Sequence, residues 1–371
     1  MDAGREKWLV RGVLHGGDPG IGALFLRTAL TPLAALHRAG LAAYLLPFRL
    51  GLRKRTRLPV PVISVGNLSS GGTGKTPATA LIAGYLQSVG KRVVVLSRGH
   101  GGRGEQGSEP RIVSNVETVL LSPADAGDEP VLLANLLPGV PVIVCRDRRK
   151  SGRLAVQTFA PDVLLCDDGL QYWQLHRDLD IVLLDARAPF DNGYVLPRGL
   201  LREPPRHLNR AGVVILTRAD RVDADTLRRT VAYISTLTAP GVPVLTATHT
   251  PMGWVRPDNP ANLLPVSAFA GKNAVVFSGI ADDQAFADTV RGLGVRVQNV
   301  VSFGDHHAYT ADDLQRIAAL SAETGYAIAT EKDLVKVTTL PGADAVPLAA
   351  LRIALKVDNA DALFERVLGV L

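Results

Sequence analysis

A glycine-rich loop between a strand and a helix is the feature that most constrains the fold of this chain. The apolar run 60–65 predicts a buried strand, residues 66–76 read GNLSSGGTGKT, and residues 77–89 have a helical pattern. Backbone N–H groups of such a loop face phosphate oxygens, and the following helix N-terminus favours negative charge. A nucleotide phosphate site is therefore predicted at Gly71, Gly72, Thr73, Gly74, Lys75 and Thr76. Lys75 is expected to reach the β- and γ-phosphates of ATP, and the Thr76 hydroxyl to bind Mg²⁺.

The loop departs from the common GxxxxGK[ST] pattern at its first glycine, which is Ser69 here. The GGTGKT core instead resembles the branch of P-loop proteins that carries a GG-x-GKT loop. Some ATPases of that branch place a lysine before the two glycines, and this position is Ser70 in this chain. The serine argues against those ATPases and leaves nucleotide binding itself as the prediction.

Further apolar runs indicate the fold class. They alternate with helical stretches and lie at 91–97, 141–145, 162–168, 180–185 and 212–217. Continuous Val, Ile and Leu runs of this kind are typical of a parallel sheet covered by helices on both faces, and ligands bind at the carboxyl ends of its strands. We predict an α/β fold with a P-loop NTPase-like, mostly parallel sheet, a smaller C-terminal α/β domain and an N-terminal amphipathic helix.

Two aspartates end one of these runs. Asp167 and Asp168 follow the apolar residues 163–166 and have the Walker B pattern, in which a carboxylate holds magnesium directly or through water. The alternative is a polar strand end that caps the next turn. Because a phosphate loop precedes them on a separate strand, we favour magnesium binding by both residues.

The N-terminal segment is basic. Residues 1–57 contain ten Lys and Arg against three Asp and Glu, a charge of +7, so the rest of the chain is close to neutral. Such a patch attracts anionic lipid headgroups or nucleic acid. The sequence has no RNA-binding motif and no interleaving of aromatic and basic residues, so nucleic acid is not predicted as a partner.

The same segment contains an apolar stretch at residues 21–52, without the roughly 18 to 20 consecutive apolar residues needed to cross a bilayer. Arg27, Thr31 and Arg38 fall on one helical face, and the other faces carry apolar residues. An amphipathic helix lying in a membrane interface is one interpretation. The other is a helix packed on the protein's own core, with bends at Pro32 and Pro47.

The cysteines and the N-terminus bear on the compartment. The chain has two cysteines, Cys145 and Cys166, with no CxxC motif and no His/Cys cluster, which favours neither a disulfide framework nor a zinc site. Acidic residues and a Gly-Gly-Asp-Pro segment interrupt the N-terminus before any apolar core begins, unlike a secretory signal. A reducing, cytosolic setting is expected.

Several segments together resemble the tetraacyldisaccharide 4'-kinase family. They are GNLSSGGTGKTP (66–77), SRGHGG (97–102), GDEP (127–130), CDDGLQ (166–171), RDLDIVLLDA (177–186), DNGYVLPRGLLREPP (191–205), FGDHHAYT (303–310) and ATEKDLVK (329–336). The resemblance implies transfer of the ATP γ-phosphate to the 4' hydroxyl of a tetraacylated glucosamine disaccharide 1-phosphate, a lipid A precursor. It also implies monotopic association with the cytoplasmic face of the inner membrane, an anionic surface. No protein partner is predicted.

The resemblance also assigns residues. Asp128 matches the candidate general base, although Asp-Glu-Pro before an apolar run is also typical of a helix N-cap. The base pairs with a histidine of the second domain, which maps to His306, with His307 as the alternative. Arg148 would neutralise phosphate charge. The substrate positions are Asn192, Arg202 and Glu203.

Two departures keep alternatives open. Tyr172 stands where related sequences carry the histidine of DDGLQH, and a tyrosine cannot carry positive charge, so the acceptor could be another lipid-linked sugar. Residues 277–283 likewise differ from the usual FAGIG-type run. Residues 217–220, Thr-Arg-Ala-Asp, faintly resemble a guanine-reading T-K-x-D motif, which keeps a GTPase or metallochaperone-type NTPase as a further alternative.

The predicted domains follow from these patterns. They are a membrane-associating helix at 1–57, a P-loop kinase core at 58–241, a proline-rich two-stranded or extended linker at 242–271, and a C-terminal α/β domain at 272–371. Because Asp128 and His306 lie in different predicted domains, we hypothesise that hinge closure brings them together over ATP.

Overall fold

The computed structural model describes residues 20–280, 282–305 and 307–371. Its strands are β1 Val62–Asn67, β2 Val93–Ser97, β3 Arg111–Ser114, β4 Val142–Val144, β5 Val163–Asp167, β6 Leu179–Asp185, β7 Val213–Thr217, β8 Val244–Arg256, β9 Asn259–Leu264, β10 Asn273–Ser278, β11 Arg296–Ser302, β12 Ala327–Thr330 and β13 Leu348–Val357. Its α-helices are α1 Ile21–Arg49, α2 Lys75–Ser88, α3 Pro123–Ala126, α4 Asp128–Leu136, α5 Arg148–Phe159, α6 Ala224–Ser235, α7 Asp283–Gly292, α8 Ala311–Thr324, α9 Glu331–Val337 and α10 Ala360–Leu368.

The chain forms two compact units whose boundaries differ from the predicted ones. The first contains the described residues up to 98 together with 145–248 and 355–371, and the second contains 99–144 and 249–354. The C-terminal helix α10 belongs to the first unit because Phe364 stacks on Tyr85 of α2, with ring centroids 3.7 Å apart. The boundaries of the two units therefore depend on tertiary packing rather than on closeness along the chain, and sequence patterns do not predict such packing.

The first unit is built on a parallel sheet. Strand β1 pairs with β5 and β6, β5 pairs with β2, and β6 pairs with β7, all in parallel. The first residues of β8 add to β7 in the same direction. Every residue of β1 and β2 is buried. The predicted buried runs of Val, Ile and Leu are therefore the central strands, and their carboxyl ends lie along one edge.

The second unit has a smaller parallel sheet in the order β11-β10-β12-β13. Alternate residues of β10 face two cores: Val275 and Phe277 pack with α8 and α9, whereas Ala274 and Val276 pack with α7. Strands β3 and β4 pair antiparallel. The predicted linker contains β8 and β9, whose antiparallel pairing agrees with its two-stranded interpretation.

Helix α1 packs on the first unit along a narrow stripe. Its fully buried residues are Ala23, Ala34 and Leu45, which recur every 11 residues and so lie on one line after three turns. Pro32 and Pro47 lie inside the helix and do not end it. By length and composition alone, the helix could cross a membrane.

The polarity of α1 is inverted relative to that of a helix on the surface of a soluble protein. Of the three residues predicted to form a polar face, Arg27 and Thr31 are half-buried on the side of the packing stripe, whereas Arg38 is exposed. On the outward side Phe25 is 74% exposed and Leu36 is 69% exposed. A solvated helix turns its polar face outward, so this outward apolar face is suited to a non-aqueous environment.

Candidate functional site

The phosphate loop follows β1 and has the backbone expected of it. Gly71 and Gly74 adopt φ values of 132° and 87°, a region that side chains with a Cβ rarely occupy, and Gly74 caps α2. Helix α2 begins at Lys75, two residues earlier than the periodicity indicates. The Asn67 side-chain amide donates to Thr73 Oγ1 at 3.0 Å and to the Gly71 carbonyl at 3.3 Å. The loop is thus braced from the end of β1.

The last residue of β7 and the residue after it support the same loop. Thr217 Oγ1 donates to the Thr73 carbonyl at 3.0 Å, and Arg218 Nη2 donates to the Gly72 carbonyl at 2.8 Å. Arg218 is itself held by Asp185, at 2.6 Å between Nη1 and Oδ2. The resemblance of Thr217–Asp220 to a guanine-reading motif is therefore better explained by loop support, which needs a long cation at position 218.

Asp167 lies beside the phosphate loop. It ends β5, where it is the register partner of Val65 on β1, and it is 2% exposed. Thr79 of α2 donates its hydroxyl to Asp167 Oδ1 at 3.0 Å. A buried carboxylate next to the first turns of the P-loop helix is placed as a Walker B residue is, rather than as a solvent-exposed turn cap.

Asp168 adopts the left-handed φ of 49° and pairs with Arg202, whose Nη1 lies 3.0 and 2.8 Å from its two carboxylate oxygens. Burial raises the pKa of Asp168, but the positive charges of Lys75 and Arg202 lower it by more, so its pKa lies below the ordinary value. The carboxylate is therefore ionised at neutral pH. An ionised carboxylate, the Asp167 carboxylate and a threonine hydroxyl form the oxygen donor set that Mg²⁺ takes, so the residues present fit the predicted metal.

Arg148 is the first residue of α5 and is buried. Burial lowers the pKa of its guanidinium, whose Nε has no hydrogen-bond partner among the described residues. The group lies 5.5 Å from the ring centroid of Tyr172, a cation–π distance. The Tyr172 hydroxyl donates to Asp147 Oδ1 at 2.6 Å, and Asp147 is the N-cap of α5. Tyr172 thus contacts both Arg148 and the residue that caps its helix.

Two predicted substrate residues are engaged in the protein's own structure. Glu203 is 1% exposed and accepts from Arg210 at 2.8 and 3.0 Å, with His207 Nδ1 at 2.6 Å. Asn192 donates to the Arg198 carbonyl and accepts from the Tyr194 N–H, each at 3.0 Å. Both residues organise the segment around Arg202. Of the three predicted substrate positions, Arg202 is the one whose side chain pairs with Asp168.

In the second unit, Asp128 lies in the first turn of α4 and is 8% exposed. It is not the N-cap, since Gly127 occupies that position with a φ of 90°. Lys332 and Lys336 of α9 each place Nζ 3.8 Å from Asp128 Oδ2. Two cations and a helix N-terminus favour the ionised carboxylate.

The predicted histidine partner, His306, lies outside the described residues. His307 belongs to a different arrangement, in which its Nε2 lies 2.9 Å from Asp313 Oδ2. Asp313 also accepts from Thr310 in the capping box of α8. His307 therefore stabilises the start of that helix.

Comparison with known proteins identifies the family. The sequence profile of the tetraacyldisaccharide-1-P 4'-kinase family matches residues 26–371. This chain belongs to that family. A tetraacyldisaccharide 4'-kinase of Geobacter metallireducens is 43% identical over 293 residues, which cover 78% of this chain and 82% of the relative. Another, of Anaeromyxobacter sp. strain Fw109-5, is 40% identical over 342 residues, which cover 91% and 89%.

A solved structure agrees with the sequence relatives. The crystal structure of LpxK from Aquifex aeolicus in complex with ATP is similar with a TM-score of 0.76 and 31% identity, and it covers 93% of this chain and 99% of that one. The predicted fold class, the kinase activity and ATP as nucleotide are confirmed by membership of this kinase family. A GTPase or metallochaperone is not the activity of the family.

Sequence reasoning missed several residues of the site. Asn67, Thr79, Thr217 and Arg218 all bond to the phosphate loop or to Asp167. Gln171 donates to the Asn67 carbonyl at 2.9 Å. A signal was available for some of them, because they lie at the ends of neighbouring parallel strands, where ligand sites form.

Proposed function

We propose that this kinase transfers the ATP γ-phosphate to the 4' hydroxyl of a tetraacyldisaccharide 1-phosphate, with Lys75, Arg148 and Mg²⁺ neutralising charge and Asp128 as the base. The observation that carries the proposal is the braced phosphate loop, with two left-handed glycines, beside the paired aspartates at the end of β5. Phosphoryl transfer needs mainly positioning and charge neutralisation, and these are what this constellation supplies.

Charge neutralisation is the first part of the mechanism. Lys75 opens α2 directly after the glycines and its charge acts on Asp168, so it lies among the anionic groups of the site. Arg148 is a buried cation whose Nε–H finds no hydrogen-bond partner in the described part of the chain, and a guanidinium can offer two parallel hydrogen bonds to phosphate oxygens. Phosphate bound at this guanidinium would offset the cost of burying its charge.

Mg²⁺ is the proposed metal, and Thr76, Asp167 and Asp168 would hold it. When bound, the ion neutralises negative charge on the β- and γ-phosphates. Arg202 contributes by fixing the orientation of Asp168 through its two contacts to the carboxylate. Thr79 does the same for Asp167 with its hydroxyl.

Asp128 is proposed to take the proton of the 4' hydroxyl, with His306 as its partner. Lys332 and Lys336 keep the carboxylate ionised, so it is ready to accept a proton at neutral pH. An Asp128→Asn variant keeps the shape and removes the basic oxygen. Turnover should fall about 100-fold or more, the scale of one acid–base group.

Membrane association is the second part of the proposal. The outward apolar face of α1, including Phe25 and Leu36, would lie in the bilayer interface, where the enzyme meets its acylated substrate. Because ATP is a cytosolic nucleotide, the cytoplasmic face is the proposed side of the membrane. Basic residues just after α1, including Arg53, Lys54 and Arg57, would meet anionic headgroups.

The test is transfer of labelled phosphate from γ-labelled ATP to purified tetraacyldisaccharide 1-phosphate in neutral detergent micelles. Labelled lipid should form with the wild-type chain and fall by about two orders of magnitude with Lys75→Ala, which removes one cation from the developing charge. ATP binding without lipid labelling would refute the acceptor and redirect the search to another lipid-linked sugar.

A further inference from the structure

An open basic pocket of about 540 Å³ lies in the first unit, away from the phosphate loop. Its lining residues are Arg49, Arg55, Trp173, Arg177, Asp180, Arg206, His207, Asn209 and Arg210. They come from the end of α1, the segment before β1, the segment before and into β6, and the segment before β7, so they gather toward the amino ends of these strands. The phosphate loop follows the carboxyl end of β1. The pocket is therefore a second site rather than part of the ATP site.

The charges of the pocket are unbalanced. Five arginines line it against one carboxylate, that of Asp180, which pairs with Arg177 at 2.6 Å. Arg210 forms an ion pair with the neighbouring buried carboxylate of Glu203. Among the described residues, Arg49, Arg55 and Arg206 have no carboxylate partner, and they form the exposed rim above a buried floor. A concentration of cations of this kind attracts an anion.

The guanidinium groups are held in place. The Trp173 ring lies 4.9 Å from the Arg55 guanidinium and 4.6 Å from that of Arg210. His207 Nε2 lies 3.1 Å from Arg49 Nη2. Because Arg49 can only donate, Nε2 must accept, and the proton then lies on Nδ1 and is donated to Glu203. The cations are thus arranged before a ligand arrives, which lowers the entropy cost of binding.

Two buried donors in the lining have no acceptor at hydrogen-bond distance among the described residues. They are the indole Nε1 of Trp173 and the Nε of Arg210, which lies 3.9 Å from Asp180 Oδ2, an ion-pair contact only. Buried donors are almost always paired in folded proteins, so an unpaired donor in a pocket wall points to an absent acceptor. Burial and the charges of Arg177 and Arg210 lower the pKa of Arg55, in agreement with a positive potential in the pocket.

We infer that this pocket binds the phosphate group of a lipid headgroup. Phosphate supplies several acceptor oxygens for guanidinium and indole donors. The rim includes Arg49, in the last turn of the helix whose outward face is apolar, so the pocket adjoins the proposed interfacial helix. An anionic phospholipid is the expected source, and the inference rests on the membrane association proposed above. The substrate's own 1-phosphate and free phosphate share this chemistry.

The test uses the full chain with Arg55→Gln and Arg206→Gln combined. A matched control carries Arg296→Gln and Arg316→Gln, two exposed arginines of the second unit, so both variants lose the same charge. Melting temperatures establish that both variants fold. Binding is measured by co-sedimentation with phosphatidylglycerol and phosphatidylcholine vesicles, and by titration with inorganic phosphate. Each cation near an anionic surface raises membrane affinity roughly fivefold. Removal of two cations should therefore lower the affinity for phosphatidylglycerol vesicles about 30-fold relative to the control.

Kinase assays in neutral micelles separate the possible sources. If an anionic phospholipid is the ligand, the pocket variant keeps the wild-type KM for tetraacyldisaccharide 1-phosphate. A raised KM with unchanged vesicle binding would overturn the phospholipid and assign the substrate's 1-phosphate. Weaker binding of free phosphate alone, or equal vesicle binding by the pocket and control variants, would overturn the lipid site. Vesicle binding needs no turnover, so failure of the proposed kinase reaction would be seen separately.

Discussion

Arg218 offers a direct test of how the phosphate loop is held. Its guanidinium joins the Gly72 carbonyl, at 2.8 Å, to Asp185, at 2.6 Å, and the side chain is about one quarter exposed. Arg218→Ala removes both contacts. Asp185 keeps Arg187, 2.8 Å from Oδ2, so the substitution leaves no isolated carboxylate. The main effect of Arg218→Ala is therefore that the phosphate loop is less well ordered.

The magnitude follows from the bonds removed. A hydrogen bond to a charged group is worth about 1.5 to 3 kcal/mol, and partial exposure reduces this to roughly 1 to 2 kcal/mol. If ATP must then order the loop itself, its dissociation constant rises about 5- to 30-fold. Turnover at saturating ATP should stay within about threefold, because the proposed charge-neutralising groups remain.

The assay is equilibrium titration of ATP and of GTP, with Arg221→Ala as the matched control. Arg221 pairs with Asp220 at 3.2 Å, with both side chains about half exposed, so its removal should change affinity by less than about twofold. The affinities of Arg218→Ala for ATP and for GTP should fall by the same factor. An unchanged ATP dissociation constant would refute loop support, and a selective change for GTP would restore the guanine-reading interpretation.

Three further predictions concern stability and the membrane. Tyr172→Phe removes the hydroxyl that donates to Asp147 and should lower the free energy of unfolding by about 1 kcal/mol in urea titration; an unchanged value would show that this bond is not stabilising. Burial raises the pKa of Glu203 but ion pairing lowers it by more, so its stabilising contribution is full above its unfolded pKa and is lost as pH falls through the folded value. Glu203→Gln should therefore cost roughly 2 to 4 kcal/mol at pH 7 by breaking the pair with Arg210, with a smaller difference below about pH 4; a pH-independent difference would contradict the ionic origin. Leu36→Glu should lower vesicle binding about tenfold or more, because a carboxylate replaces an exposed apolar side chain; unchanged co-sedimentation would place the apolar face outside the bilayer.

Local patterns were sufficient for the nucleotide-binding part of the fold. The strand, glycine loop and helix around Lys75 are each fixed by residues close in sequence, and so is the position of Asp167 at a strand end. These features depend on apolar runs and on glycines that reach positive φ, which a single sequence displays. The parallel sheet followed from the same runs.

Contacts between segments that are distant in sequence could not be predicted from local patterns. Thr217 and Arg218 lie 144 and 146 residues from the loop carbonyls that they contact, and a threonine and an arginine at the end of a strand carry no sequence signal of such a contact. Glu203 lies in a motif, but a motif does not distinguish a residue that binds substrate from one buried in an ion network. The division into units likewise depended on packing, as with Phe364 on Tyr85.

The inverted polarity of α1 has a consequence for how the rate of this enzyme should be described. If its outward face rests in the bilayer, enzyme and acylated substrate share a surface, and they meet by lateral diffusion in two dimensions. The governing quantity is then the mole fraction of substrate among the lipids, rather than its concentration in the whole solution. Adding inert phospholipid at constant total substrate should slow the reaction by surface dilution, whereas diluting the aqueous phase at fixed lipid composition should leave the rate per bound enzyme unchanged.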